Sequence, residues 1–180
     1  MTSSKDLEEF WTRGDIHSRV RIAMLEADLI DKKLDIEDLF PIDQYHARGI
    51  AATVDLGKRM PILKNQKILD IGCGLGGPAR YYAKQFECFI TGIDITSSFI
   101  ELGKEFNKLT SMSDKINLTI GNGETLKFED NTFDGAYSQH VTMNISNRKS
   151  FFSEAYRAVS YTHLRAHETV LDLVCRLLLE

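Results

Sequence analysis

Apolar residues recur along this chain in two periods. Between residues 15 and 33, Ile16, Val20, Ala23, Ala27 and Ile30 follow the three-and-four spacing of an amphipathic helix. Residues 34–43 are acidic, end in Phe40-Pro41 and read as a connection, with Asp35-Ile36-Glu37-Asp38 a solvated edge. A second helix is predicted over residues 46–60, with Ile50, Ala51 and Val54 inward and Pro61 as its stop. From Lys67 the period shortens. Ile68-Leu69-Asp70-Ile71 is a brief apolar run leading into glycines, and Pro78 opens a helix through about Phe86. Residues 88–94 read as a second buried strand. Ser98 and Glu101 have capping-box spacing before a helix whose face is Phe99, Leu102, Phe106 and Leu109. Ile116, Leu118 and Ile120 alternate as a third strand, and residues 132–138 give a fourth. Asn147 is placed to cap a helix with Phe151, Ala155 and Val159 inward. Strands alternating with helices across short loops predict an α/β fold with a doubly wound parallel sheet, preceded by a helical cap.

Composition narrows the classes. A chain of 180 residues, 43% of them hydrophobic, can build one real core. The net charge is −4, with Lys and Arg scattered. No basic stripe suits nucleic acid, and no polybasic arm suits a membrane surface. No apolar run reaches the roughly 18 residues of a membrane span, and the N-terminal residues lack a signal-peptide core. Cys73, Cys88 and Cys175 are few and far apart, as reduced thiols are. These features predict a soluble cytoplasmic globular protein, with neither nucleic acid nor membrane as partner.

The chemistry is concentrated in Asp70-Ile71-Gly72-Cys73-Gly74-Leu75-Gly76-Gly77-Pro78-Ala79-Arg80. Glycines there let the backbone turn sharply and let a ligand approach where a Cβ would clash. The following helix aims its free N–H groups back at the loop. Gly72, Gly74 and Gly77 satisfy the dinucleotide pattern GxGxxG, whereas Gly72, Gly74 and Gly76 satisfy GxGxG. Asp70, at the strand end, can meet an ammonium. Asp94, ending the next strand, can accept both hydroxyls of a ribose. Gly121-Asn122-Gly123 follows the third strand, and Phe128 to Asp134 leads into the fourth.

Taken together, Asp70 to Gly77, Gly92 to Asp94, Gly121 to Glu124 and Phe133-Asp134 resemble the successive motifs of class I S-adenosylmethionine-dependent methyltransferases. Asp43-Gln44-Tyr45-His46, the loop through Arg80, and Gln139-His140-Val141-Thr142-Met143-Asn144-Ile145 resemble small-molecule enzymes, nearest to those methylating sarcosine and dimethylglycine, with the sterol and tocopherol enzymes more distant. The resemblance implies a Rossmann-like sheet and S-adenosylmethionine as cofactor. Asp70, Gly72, Gly74 and Gly76 would hold its methionine end, Asp94 its ribose, and Asn122 with Gly123 its adenine edge. Cys73, Ile95 and Gln139 complete the implied cofactor-binding set. The family usually has Asp where this chain has Asn122, whose carbonyl still offers an acceptor.

A sulfonium cofactor is already an activated electrophile. The protein is left to align the reactants, exclude water and keep an amine unprotonated. His140 and Tyr45 are the candidates for orienting the acceptor, with His46 and Gln139 beside them. His140 reads equally as a hydrogen-bonded loop residue, and Tyr45 and His46 as packing of the cap. Cys73 has no evident base beside it and reads as a loop filler, not a nucleophile. Arg80 could pair with a carboxylate, anchor its helix or lie on the surface. The enzyme alternative is a nicotinamide dehydrogenase, and the non-enzyme alternative an inactive cofactor-binding fragment.

Glu154-Ala155-Tyr156-Arg157-Ala158-Val159 resembles the family's helix before its fifth strand, after which a Lys-Pro-Gly-Gly turn is usual. Here Ser160-Tyr161-Thr162-His163-Leu164-Arg165-Ala166-His167-Glu168 follows instead, and it resembles translated sequencing-adapter read-through. The expected organisation is a helical cap over 1–62, a cofactor-binding half over 63–159 and a non-native tail over 160–180. His163 and His167 lie four apart but lack a third ligand, so no metal site is expected. With about four of seven strands supplied, the fourth strand's edge should lie open unless the tail covers it, and the chain should fold poorly.

Overall fold

The computed structural model describes residues 16–26, 28–29, 33–159 and 172–173. Four parallel strands form the sheet, β1 (Lys67–Ile71), β2 (Phe89–Asp94), β3 (Ile116–Ile120) and β4 (Gly135–Gln139), in the order β3-β2-β1-β4. A two-residue strand β5 (Asp172–Leu173) pairs antiparallel with Ser138 and Gln139, so that end of the β4 edge is covered. The rest of the tail, His163 and His167 included, lies outside the described residues, as does Cys175.

Side-chain alternation along the strands sorts the core into two faces. Ile68, Ile90, Ile116 and Leu118 pack with Ala79, Tyr82 and Ala83 of helix α4 (Gly77–Phe86). Leu69, Ile71, Ile93 and Ala136 pack on the other face with Phe151, Ala155 and Ala158 of α6 (Arg148–Ala158). Asn147 caps α6 by accepting the Ser150 N–H at 3.1 Å. Helix α5 (Ser97–Leu109) presses Phe99, Leu102 and Phe106 against Ile16 and Val20 of α1 (Ile16–Glu26). This is the doubly wound α/β arrangement the periodicity predicts.

Several local expectations change. Asp15, Ala27 and Ile30 lie outside the described residues. The supposed connection at 34–43 holds a 3-10 turn (Ile36–Leu39) and a short helix α2 (Phe40–Asp43). Ile36 and Leu39 are buried, Asp38 accepts the Asp35 N–H, and Glu37 pairs with Lys84. Helix α3 is shorter than predicted, Ile50–Gly57, and turns Ala52, Thr53, Leu56 and Gly57 inward; Ala51 is exposed. Tyr82 fixes that rotation by donating its hydroxyl to the Thr53 carbonyl at 2.8 Å. Ser98 does not cap α5: Thr96 holds that position, and Ser98 Oγ is buried without a hydrogen bond. Leu109 and Ile120 are exposed, and Val159 is extended, bridging Phe133 in parallel. Residues 132–134 precede β4: Asp134 there accepts the Lys67 N–H with its carboxylate.

The cap sits directly on the glycine loop. A Cβ at Gly77 would lie 2.4 Å from the Asp43 carbonyl oxygen, a backbone atom that cannot swing aside. Gly77→Ala is therefore expected to cost about 1–3 kcal/mol by pushing the cap off α4. Thermal melting checks this, and an unchanged midpoint would show that the cap does not bear on Gly77.

Candidate functional site

The chain runs outward from β1 to β2 and β3, then returns to place β4 on the other side of β1. At such a reversal the loops leaving neighbouring strands part in opposite directions and open a crevice at their carboxyl ends. A cleft lies there, and Asp70, Gly72, Cys73, Gly74, Asp94, Ile95, Asn122, Gly123, Gln139, His140 and Tyr45 all line it. Of the sequence candidates, Gly76 alone stands off the lining. It is the N-cap of α4, and its space is taken by Leu118 and Arg80.

The loop's first turn is closed by the Ile93 carbonyl, which accepts the N–H groups of Gly72 and Cys73 at 2.8 and 2.9 Å. Gly72 has φ +85°, and a Cβ there would meet the Val141 side chain at 2.2 Å. Gly74, at φ +52°, opens onto free space instead, so its bare backbone is a wall of the cleft.

Two carboxylates flank the loop. Asp70 is 2% exposed and accepts the Tyr137 hydroxyl at 2.8 Å. Burial, augmented by the Asp94 charge and opposed by that hydroxyl, pushes its carboxyl up to about 7. Asp94 accepts the Gly74 N–H through Oδ2 and the Thr96 N–H through Oδ1, both at 2.9 Å. Burial raises its carboxyl also, and the N–H groups hold part of that rise back. Beyond β3, Asn122 Oδ1 accepts the Glu124 N–H at 2.8 Å, while Glu124 Oε1 takes the Ser146 N–H and hydroxyl and the Asn147 N–H. Those donors lower the Glu124 carboxyl and tie the Asn122–Gly123 turn to the start of α6.

On the opposite wall the His46 and His140 rings stack 5.2 Å apart and 3° from parallel. His140 holds φ +57°, in the left-handed region. Tyr45 is half exposed and meets the Phe99 edge at 6.3 Å. Gln139 is 6% exposed, and its Oε1 makes no hydrogen bond within the protein.

The nucleophile reading of Cys73 fails: its thiol is buried beside Asp70 and Asp94, and burial above all drives its ionisation well above the ordinary range. Arg80 is no surface residue. Wholly buried, it donates to Asp43 at 3.0 and 3.2 Å, to Asn107 at 2.7 Å, and to the Gly103 and Leu75 carbonyls. Cap, glycine loop and α5 thus meet on one guanidinium. Thr53 and Ser146 escaped the sequence reading, because a hydroxyl residue in a helix or loop gives no signal of burial or convergence; Glu124 enters it only as the end of a motif, with no role of its own. Among the described residues no group of three or more His, Cys, Asp or Glu could hold a metal, and no helix is long and apolar enough to cross a membrane.

Known proteins share this arrangement. The 24-methylenesterol C-methyltransferase 3 of Arabidopsis thaliana is 39% identical over 106 residues, 59% of this chain and 29% of that protein. The chain thus spans less than a third of that relative. The Haemonchus contortus phosphoethanolamine N-methyltransferase 2 superimposes with a TM-score of 0.59 at 25% identity, over 68% of this chain and 30% of its own. A Galdieria sulphuraria structure described as a sarcosine dimethylglycine methyltransferase gives 0.55 at 24% identity, over 61% and 40%. The family described as "Methyltransferase domain" matches residues 69–161, from the middle of β1 to just past α6. That stretch holds the glycine loop, both carboxylates and the β4 wall, and through it the chain belongs to the methyltransferase domain family.

Proposed function

We propose that the cleft binds S-adenosylmethionine and that the protein transfers a methyl group to a small-molecule acceptor, an amine. The observation carrying this is the pair Asp70, buried, and Asp94, half-buried, at the ends of adjacent strands around the open backbone of Gly74. No Lys or Arg stands in the cleft lining among the described residues. Such a site suits a ligand bearing positive charge and vicinal hydroxyls. The unmet acceptor at Gln139 fits the same ligand.

On this reading Asp70 faces the ammonium, Asp94 the ribose, and Asn122 with Gly123 the adenine edge. The cofactor supplies a methyl group already activated on sulfur. The chain's own residues must orient the acceptor, keep water out and leave the amine unprotonated. His140, braced by His46, and Tyr45 at the mouth are placed for that orientation. Two of the structurally similar proteins support an amine, since one is an N-methyltransferase crystallised with phosphomonomethylethanolamine and S-adenosylhomocysteine, and the other carries sarcosine and dimethylglycine in its name. The free thiols Cys73 and Cys88 support a cytoplasmic location. Equilibrium dialysis against S-adenosylmethionine and NAD tests the proposal: retention of the former alone is expected, and binding of NAD alone would overturn it.

Affinity should depend on pH in a stated direction. Asp70 titrates near 7 in the free protein, against about 4 when unfolded. Its ionisation therefore costs the free protein stability as pH climbs from about 4 towards 7, and a cation bound beside it offsets that cost. Binding should release a proton near neutrality. Affinity for S-adenosylmethionine should fall on the order of fiftyfold from pH 7 to pH 5 when the bound carboxylate stays ionised. Calorimetry in buffers of differing ionisation enthalpy measures both, and a flat profile would remove Asp70 from the ammonium site.

A further inference from the structure

We infer that Thr53 is a positioning residue, the turning point of a directed hydrogen-bond relay Arg80–Asp43–Gln44–Thr53–Gln139 that aims the Gln139 carboxamide oxygen into the cleft to receive an N–H donor, an ammonium or amine. The inference rests on the cofactor and amine reading of the cleft for its ligand, but not for its wiring.

The direction is set at one end. Arg80 can only donate, and it donates to Asp43 Oδ2 from Nε and Nη2. At neutral pH Asp43 is ionised, its carboxyl raised by burial only to about 6 against the pull of Arg80. An ionised carboxylate can only accept, so Gln44 must turn its amide nitrogen to it, Nε2 lying 3.4 Å from Oδ1. That leaves Gln44 Oε1 as an acceptor. The single proton of Thr53 goes there, across 2.6 Å. Thr53 Oγ1 then offers only lone pairs, and Gln139 Nε2, 3.5 Å away, must donate to it. His46 Nε2 also faces it at 3.2 Å, while His46 Nδ1 faces the Ala47 carbonyl at 3.3 Å, so the single hydrogen of a neutral ring serves one of the two. Gln139 lines the cleft, and its Oε1 is thereby left buried and without a hydrogen bond in the protein. A buried unmet acceptor is costly, and at a ligand cleft it marks where a donor belongs.

The wiring gives a readout that needs no ligand. In NMR of the full chain at neutral pH the Gln139 side-chain amide should shift in Thr53→Val and not in Thr53→Ser. Calorimetric titrations then use S-adenosylhomocysteine, methylthioadenosine (the same nucleoside without the amino-acid portion), and sarcosine with S-adenosylhomocysteine saturating. Thr53→Val should weaken one donor-bearing ligand about tenfold, and Thr53→Ser should restore it. Loss for S-adenosylhomocysteine with methylthioadenosine unchanged assigns the donor to the cofactor. Loss for sarcosine alone assigns it to the acceptor. A Gln139 side-chain amide that Thr53→Val leaves unmoved, equal weakening of the two nucleosides, or no change in any ligand overturns the relay. A wild type that binds neither nucleoside removes the cofactor reading, and the NMR signals then decide the relay alone.

Discussion

Arg80→Met is expected to lower the unfolding free energy by about 3–5 kcal/mol, because it strands a charge in the core. Arg80 is wholly buried, and its removal leaves Asp43 buried without its counter-ion and the Asn107 side chain and two carbonyls without donors. Asp43 cannot simply move to water, since its backbone carbonyl lies against Gly77. Adding Asp43→Asn should recover part of the loss, as removing both members of a buried pair is milder than removing one. Arg80→Lys should behave more like Met than like Arg, because an ammonium is a point charge and cannot reach cap, loop and α5 at once. Urea denaturation followed by circular dichroism measures all three. A loss below about 1 kcal/mol for Met would mean the pair does not seat the cap.

Asp94→Ala should abolish most nucleoside binding, weakening S-adenosylhomocysteine by about a hundredfold, on the order of 2.7 kcal/mol. The carboxylate has two duties in the structure: it fixes the Gly74 and Thr96 N–H groups, and it presents charge to the cleft. Asn at this position keeps one acceptor and should fall between the two, near tenfold. A second effect separates lost contact from lost fold. The Asp94 charge helps hold the Asp70 carboxyl up, so its removal should move the pH dependence of any residual binding to lower pH. Unchanged affinity in a folded Asp94→Ala protein would place the nucleoside elsewhere.

These two residues also mark how far the sequence could be read. Asp94 was legible because the strand, the acid at its end and the preceding glycine loop are local signals, and local signals place β1, β2 and β3 within a residue or two. Arg80 was not, because an arginine in a helix looks the same whether it meets solvent or a carboxylate 37 residues away. The inward face of α3 misled for a related reason. Apolar periodicity favours Ile50, Ala51 and Val54, but a threonine whose hydroxyl is fully hydrogen-bonded can be buried as readily as a valine. At α5 the capping-box spacing of Ser98 and Glu101 lost to an arrangement read only in three dimensions, in which Asp94 binds the Thr96 N–H and leaves Ser98 inside the helix. The β4 start came late because Phe133 pairs with Val159 and Asp134 turns to the Lys67 N–H.

The position of β4 has a kinetic consequence. β1, β2 and β3 are joined by single crossover helices, so their pairing closes short loops, whereas the Tyr137 hydroxyl reaches Asp70 across 67 residues of chain. Closure of the longer loop is entropically slower, and contacts of high sequence separation delay folding. The half built from β1 to β3 with α4 and α5 should therefore assemble first, and β4 should dock afterwards as a separate step. A ligand lying between the β1 and β4 walls contacts both and favours only the docked state. It should slow unfolding while leaving the earlier assembly rate untouched.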